Sequence, residues 1–396
     1  MYKRQHLRSV TLTAKDKICL CETRECTPEA CPYANGYYAR IKGALWDVLD
    51  VPCLTAETLQ EYAKRHTVCP FELGLDSSLW SDVIIGDYNY LFDPVVHLVR
   101  FFESAGDYIF LVDEAHNLPG RAREMHSAAL TKTSFYEAKK LLGKGKSSLK
   151  NALTKVNDVF IEWRHRAEEE TAARDGRFGK TFFLKERSEE FDHLLNRLCE
   201  PLEAWLDDHR YPWETHTALL QLYFDVRAWL RVADTFDDHF VLQITASGSE
   251  VRAAQLCLDP SAFLADSFAL GRAAVLFSAT LAPASYYKDL CGVPEARAVA
   301  LRSPFPAGNQ GLFCIGNVST RYKDRDASLA IVEESLATMV RARCGNYLAF
   351  FPSYAYMEQA YAQFKEHCPE INCIKQENAM DEQQKAAFFC LLYTSD

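Results

Sequence analysis

The chain has 396 residues, 48% of them hydrophobic and 25% charged, which is ordinary for a globular protein with room for two or three domains. Its net charge of −10 gives no bulk electrostatic sign of nucleic-acid binding, so any such path has to be a local basic groove. No apolar run approaches the ~20 residues of a membrane helix and no secretory leader pattern follows Met1, so the expectation is a cytoplasmic protein.

Fourteen cysteines are many for a reducing compartment and too dilute for a disulfide scaffold, which raises the question of a metal site. Residues 1–18 read as a strand, Ser9-Val10-Thr11-Leu12-Thr13, and a polar turn. A cysteine-rich insert follows: Cys19-Leu20-Cys21, then Cys26 to Cys31-Pro32-Tyr33, then a return at Val68-Cys69-Pro70-Phe71. Helices are predicted between these segments, over Tyr37–Leu49 and over Ala56–His66 behind a Thr55 N-cap. Thiolates are soft ligands suited to zinc or to iron–sulfur clusters. The spacing is not the paired C-x2-C of zinc ribbons, which disfavours zinc, and the alternative for these thiols is plain burial.

Val83-Ile84-Ile85 reads as a buried strand, and Tyr88, Asn89 and Tyr90 follow at its end. Aromatic and amide groups there could meet a nucleic-acid strand, or could cap a helix and fill the core. Tyr108-Ile109-Phe110-Leu111-Val112 reads as a strand buried on both faces, ending in Asp113-Glu114-Ala115-His116. The ligand crevice of an open parallel sheet lies at the carboxyl ends of its strands, where Asp113 and Glu114 would sit. Two carboxylates there suit metal-assisted phosphate chemistry, one holding Mg²⁺ and the other orienting water. Taken alone, the pair reads better as solvated acids at an ordinary strand end.

Residues 121–240 are predicted to be strongly helical, with apolar stripes at Leu194, Leu195, Leu198, Leu202, Trp205 and Leu206 and again from Leu219 to Leu230. Leu142-Gly143-Lys144-Gly145-Lys146-Ser147-Ser148 imitates a phosphate loop, but Lys140 stands where G-x-x-x-x-G-K-[ST] requires glycine, so a flexible basic loop is expected. Sheet pattern returns at Phe240–Ile244 and Ala254–Leu258, then at Ala273–Phe277, which runs into Ser278-Ala279-Thr280. Those hydroxyls would by themselves be read as helix caps. Ser303-Pro304-Phe305-Pro306 reads as a linker, with a second α/β unit after it: a strand over Asn346–Phe351 and a helix from Pro352-Ser353-Tyr354.

The letters Asp113-Glu114-Ala115-His116, the cysteine segments, residues 79–94, Ser278-Ala279-Thr280-Leu281 and Phe350-Phe351-Pro352-Ser353-Tyr354 stand in one order. That order resembles the XPD/DinG-like helicases, superfamily-two DEAH-box DNA helicases that carry an iron–sulfur cluster. The resemblance implies an α/β fold: a RecA-like parallel-sheet motor domain, an iron–sulfur insert, a helical arch-like insert and the start of a second RecA-like domain. It divides the chain into a partial motor domain 1 with the cluster insert (1–78), the DEAH-box segment (79–120), the arch-like insert (121–240), the return of motor domain 1 (241–303) and a partial motor domain 2 (304–396).

The resemblance also assigns roles. Cys19, Cys26, Cys31 and Cys69 would hold a [4Fe-4S] cluster, with Cys53 a spectator and Cys21 either a spectator or a substitute for Cys19. Asp113 would hold the Mg of Mg-ATP, Glu114 would position water, and His116 would link the box to Ser278, Ala279 and Thr280. DNA is the implied partner, with no DNA-binding residue singled out, and ATP-dependent unwinding is the implied activity. The alternatives are a non-catalytic iron–sulfur DNA-binding module and a zinc-stabilised nucleotide hydrolase. No G-x-x-x-x-G-K-[ST] occurs, and Cys390 to Asp396 departs from the family pattern. The expectation is a fragment, truncated at both ends and inactive alone, with a foreign tail.

Overall fold

In the computed structural model the chain is described over residues 7–143, 147–173, 180–207 and 213–377, with 380, 384, 387, 388 and 390. It divides into two compact units, Met1–Val299 and Ala300–Asp396. No helix among the described residues is long and apolar enough to cross a membrane. The centre of the imitation phosphate loop (144–146) and the last six residues lie outside the described residues.

The first unit opens with a parallel sheet in which β1 (Ser9–Thr11) lies between β2 (Cys53–Leu54) and β3 (Val83–Ile85). The helices Tyr37–Val48, Ala56–His66 and Pro70–Ser77 pack on it through Ile41, Ala44, Leu59, Ala63 and Leu73. The second begins where expected, because the Thr55 hydroxyl accepts the Thr58 amide at 3.3 Å and satisfies an otherwise orphaned N–H. The strand carrying the acidic pair is β4 (Ile109–Val112). It is covered on one face only. Val112 is buried and Phe110 packs on Phe102, but Ile109 and Leu111 are 65% and 69% exposed, which corrects the expectation of burial on both faces.

Between β4 and its partner lies an insert with its own core. The strands β5 (Ala128–Thr131), β6 (Lys180–Leu184), β7 (Phe240–Ser247) and β8 (Glu250–Cys257) form an antiparallel sheet in the order β5-β8-β7-β6. The expected helical stripes do pack there: Leu195, Leu198, Leu202, Leu219, Val226 and Trp229 are fully or almost fully buried against the sheet. The strands from Phe240 to Cys257 do not rejoin the parallel sheet, as the sequence reading had them. β7 alternates buried and half-buried residues, β8 is buried over Ala253–Gln255, and both cover the insert's helices, so the insert contains a sheet and runs on to Cys257. Its two ends are tied together. Ser127 Oγ accepts from Cys257 N at 2.9 Å and donates to Arg123 O at 2.6 Å, and Arg123 Nε donates to Leu258 O at 2.8 Å.

The chain then enters β9 (Ala273–Leu276), parallel to β4 in the register Ile109↔Ala273 to Val112↔Leu276. The fold class is therefore α/β with parallel sheets, interrupted by an antiparallel one. In the second unit the helices Arg325–Ala342 and Tyr354–His367 pack through Leu329, Tyr356 and Ala360 and through Ala337, Phe364 and Cys368. Ser353 caps the latter by accepting the Tyr356 amide at 3.3 Å. The strand expected over Asn346–Phe351 does not form, since no described strand pairs with it and a ladder needs a neighbour.

Candidate functional site

Of the six cysteines between residues 19 and 69, five fall into two neighbourhoods. Cys21 Sγ lies 3.9 Å from Cys31 Sγ. Burial, then Cys31 and Cys19, push the Cys21 thiol up to about 11. Cys69 stands at the N-terminus of the helix Pro70–Ser77, and burial raises its thiol as well. Lys15 sits beside Cys26, Glu72 and Cys69, and although burial lowers its pKa, those charges outweigh it and raise it. Cys53 lies apart in β2 and is exposed. Among the described residues, no three or more His, Cys, Asp or Glu side chains are arranged to hold a metal ion. The donor chemistry of Cys19, Cys26, Cys31 and Cys69 fits an iron–sulfur cluster, but the thiols are not gathered around a common centre.

The acidic pair is held far more closely. β4 and β9 end side by side, locked by Phe277 N donating to Val112 O at 3.0 Å and Ala115 N donating to Phe277 O at 3.1 Å. Between those bonds the chain turns sharply. Glu114 takes φ +46° and ψ 41°, in the left-handed region, and its amide donates to Asp113 Oδ1 at 2.8 Å. A bulky residue there costs energy and persists only when its surroundings impose it. The following residues, Ala115–Asn117, form a single 3-10 turn into the helix Leu118–Met125.

Across the strand ends, Ser278 Oγ donates to Glu114 Oε2 at 3.0 Å and contacts His116 Nδ1 at 2.7 Å. A hydroxyl has one proton. With that proton on the carboxylate, His116 Nδ1 is the donor to Ser278, and it also lies 3.1 Å from Glu114 Oε2. Thr280 joins through its amide, which donates to Ser278 Oγ at 3.1 Å, while Ala279 supplies the turn between the two hydroxyl residues. Residues 162 apart in sequence thus share one hydrogen-bond network, and the Asp113 and Glu114 carboxylates remain open to solvent. Such a rim can receive a hydrated cation and orient a water.

Comparison with known proteins finds DNA helicases among those similar to this chain. The DEAD_2 family model matches residues 3–135. A regulator of telomere elongation helicase 1 homolog from Anopheles gambiae is 28% identical over 137 residues, covering 31% of this chain and 14% of that protein. The transcription and DNA repair factor IIH helicase subunit XPD of Schizosaccharomyces pombe is 24% identical over 383 residues, covering 78% of this chain and 49% of that protein. A solved structure titled XPD_Helicase aligns with a TM-score of 0.48 at 17% identity, over 98% of this chain and 66% of that one.

The chain is similar to the XPD/DinG-like helicases over much of its length. It spans about half or less of the length of these curated relatives.

Sequence reasoning left the role of one rim residue open. Tyr88 and Asn89 stood as candidates for nucleic-acid contact or packing. The structure turns both inward: the Tyr88 hydroxyl donates to the main-chain carbonyls of Asp113 and of Glu114, the latter at 3.1 Å, and Asn89 Oδ1 accepts from Arg121 at 3.4 Å. Burial, then the charges of Asp113 and Glu114, raise the Tyr88 pKa, so it stays a proton-bearing donor. The available signal was its position, a tyrosine three residues beyond β3.

Proposed function

We propose that the protein is an ATP-dependent DNA helicase with a RecA-like motor, coupling hydrolysis to movement along and unwinding of DNA. The observation that carries this reading is the Glu114–Ser278–His116 network at the joined tips of β4 and β9. Asp113 would hold the magnesium of Mg-ATP, directly or through water. Glu114 would orient the attacking water and accept its proton. Ser278 and Thr280, bonded to that carboxylate from the other strand, would carry a change at the nucleotide to the rest of the unit.

ATP phosphates need a backbone cradle and a lysine. The 396 residues contain no G-x-x-x-x-G-K-[ST] segment. We therefore expect phosphate release from a longer protein that supplies one, and none from the 396-residue chain by itself. In the longer protein Glu114→Gln should lower DNA-stimulated phosphate release by about 10²–10⁴-fold, the usual contribution of a positioned general base. Release from the isolated chain, or a full-length protein indifferent to both DNA and Glu114→Gln, would overturn the assignment.

Cys19, Cys26, Cys31 and Cys69 are proposed as the ligands of a [4Fe-4S] cluster in a cytoplasmic, DNA-bound protein. Bound there, the cluster would cross-link the two cysteine segments. Anaerobically purified protein should be brown and hold iron with sulfide. A colourless protein holding zinc would favour a zinc-stabilised hydrolase instead.

A further inference from the structure

The network at the strand tips leaves one feature unexplained. Glu114 occupies a left-handed conformation that a side chain of its size disfavours, and from that backbone its carboxylate meets Ser278. The conformation must be held by something outside the turn. Asp113 Oδ1 on the Glu114 amide is one support, but it comes from within the turn itself. From outside the turn, β9 brackets it with the Phe277–Val112 and Ala115–Phe277 bonds, and Tyr88 bonds the turned carbonyls themselves. It stands on the segment after β3, 25 residues before the box, and points one hydroxyl at two successive carbonyls of the turned backbone. Two carbonyls converge on a single donor only when the chain between them is sharply bent. An extended Asp113–Glu114 backbone would direct them to opposite sides.

We propose that Tyr88 is a positioning residue for hydrolysis: its shared hydroxyl proton holds Glu114 in the left-handed turn and so keeps the carboxylate on Ser278. The inference rests on the hydrolytic reading of Asp113 and Glu114. The segment Asp87–Phe92 is well placed for this task. Asn89 is tied to Arg121 on the helix after the box, and Phe92 is buried against Phe268, with ring centroids 5.3 Å apart. The hydroxyl therefore comes from a fixed platform, at the rim where Asp113 and Glu114 meet solvent.

Tyr88→Phe tests this in the longer, ATP-hydrolysing protein, because it removes only the hydroxyl and keeps the ring. One hydrogen bond changes a local conformational equilibrium by about fivefold, and that is the scale of loss expected in kcat. KM for Mg-ATP should change less than kcat, since the Asp113 side chain keeps its place, and affinity for single-stranded DNA should not change. In a Glu114→Gln background Tyr88→Phe should cost little more, because the two residues act as one unit. Asn89→Ala, which loosens the platform but keeps the hydroxyl, should lower kcat by less than Tyr88→Phe does, and a larger loss than in Tyr88→Phe would overturn the inference.

Wild-type kcat in Tyr88→Phe overturns the inference and leaves the hydrolytic reading standing. A raised KM with unchanged kcat, or a loss of DNA affinity, also overturns it. A wild-type protein that releases no phosphate overturns the hydrolytic reading itself, and Tyr88 with it.

Discussion

The tips of β4 and β9 and the cysteine insert are both built from segments distant in sequence, yet they differ in how much of their geometry the polypeptide alone provides. At the strand tips every turn is fixed by protein groups: two interstrand amide bonds, the Ser278 hydroxyl between His116 and Glu114, and the Tyr88 hydroxyl behind them. In the cysteine insert Cys21 touches Cys31 and Cys19, while Cys26 and Cys69 gather near Lys15. A site made of hydrogen bonds can be assembled before its ligand arrives. A site made of thiols repels its own charges once they ionise, and needs a cation to hold them together, so metal binding and local folding become one event.

The largest expected effect separates these two behaviours. Cys31→Ser and Cys69→Ser should each abolish iron retention, and amide exchange should rise in the helices Tyr37–Val48 and Pro70–Ser77 that carry the insert. Exchange at Val112, Ala115 and Phe277 should stay as in the parent chain. Equal loss of protection at both places would mean that the strand tips also depend on the cluster, and the contrast would fail.

An intermediate effect is expected from cutting the network inside the strand tips. Ser278→Ala removes a bond from a hydroxyl to a carboxylate, and hydrogen bonds to charged groups contribute about 1.5–3 kcal/mol. In the longer protein it should lower kcat about tenfold or more, with iron content unchanged. A Ser278→Ala protein with wild-type turnover would show that the contact is incidental.

The contrast also explains what could be read from the sequence. The acidic strand tip was legible because an apolar run that stops at Asp113-Glu114 is a local pattern, and the Thr55 cap and the helix start at Pro352-Ser353-Tyr354 were legible for the same reason. The stripes from Leu194 to Leu206 and from Leu219 to Leu230 could be read as buried, but not what they pack against. β5 and β6 are short and lie far in sequence from their partners β8 and β7, so the strands Phe240–Cys257 looked like a return to the parallel sheet. Pairing is a non-local property, and neither alternation nor composition names the partner strand. Asn346–Phe351 shows the converse: strand-like composition with no described neighbour to complete a ladder. Tyr88 could be placed on this rim, but its role stayed open between nucleic-acid contact and packing, because the direction of a hydroxyl depends on the turned backbone it meets.

The smallest effect concerns the junction between the two architectures. His126, at the entrance to the antiparallel insert, stacks on Phe263 with ring centroids 3.9 Å apart and planes 9° from parallel. Burial lowers its pKa, against smaller raising contributions from Asp93 and the Phe92 backbone, so the folded ring resists protonation. An unfolded histidine titrates near about 6.5 and takes up its proton first. Below that pH the unfolded chain binds more protons than the folded one, so stability is complete above it and declines as pH falls. His126→Phe keeps an aromatic face on Phe263 and removes the titration. Thermal unfolding of the 396-residue chain across the histidine range should therefore show a shallower loss of stability on acidification in His126→Phe than in the parent. Identical slopes would mean that the junction opens before the ring is protonated, and that the insert is held by Arg123 and Ser127 alone.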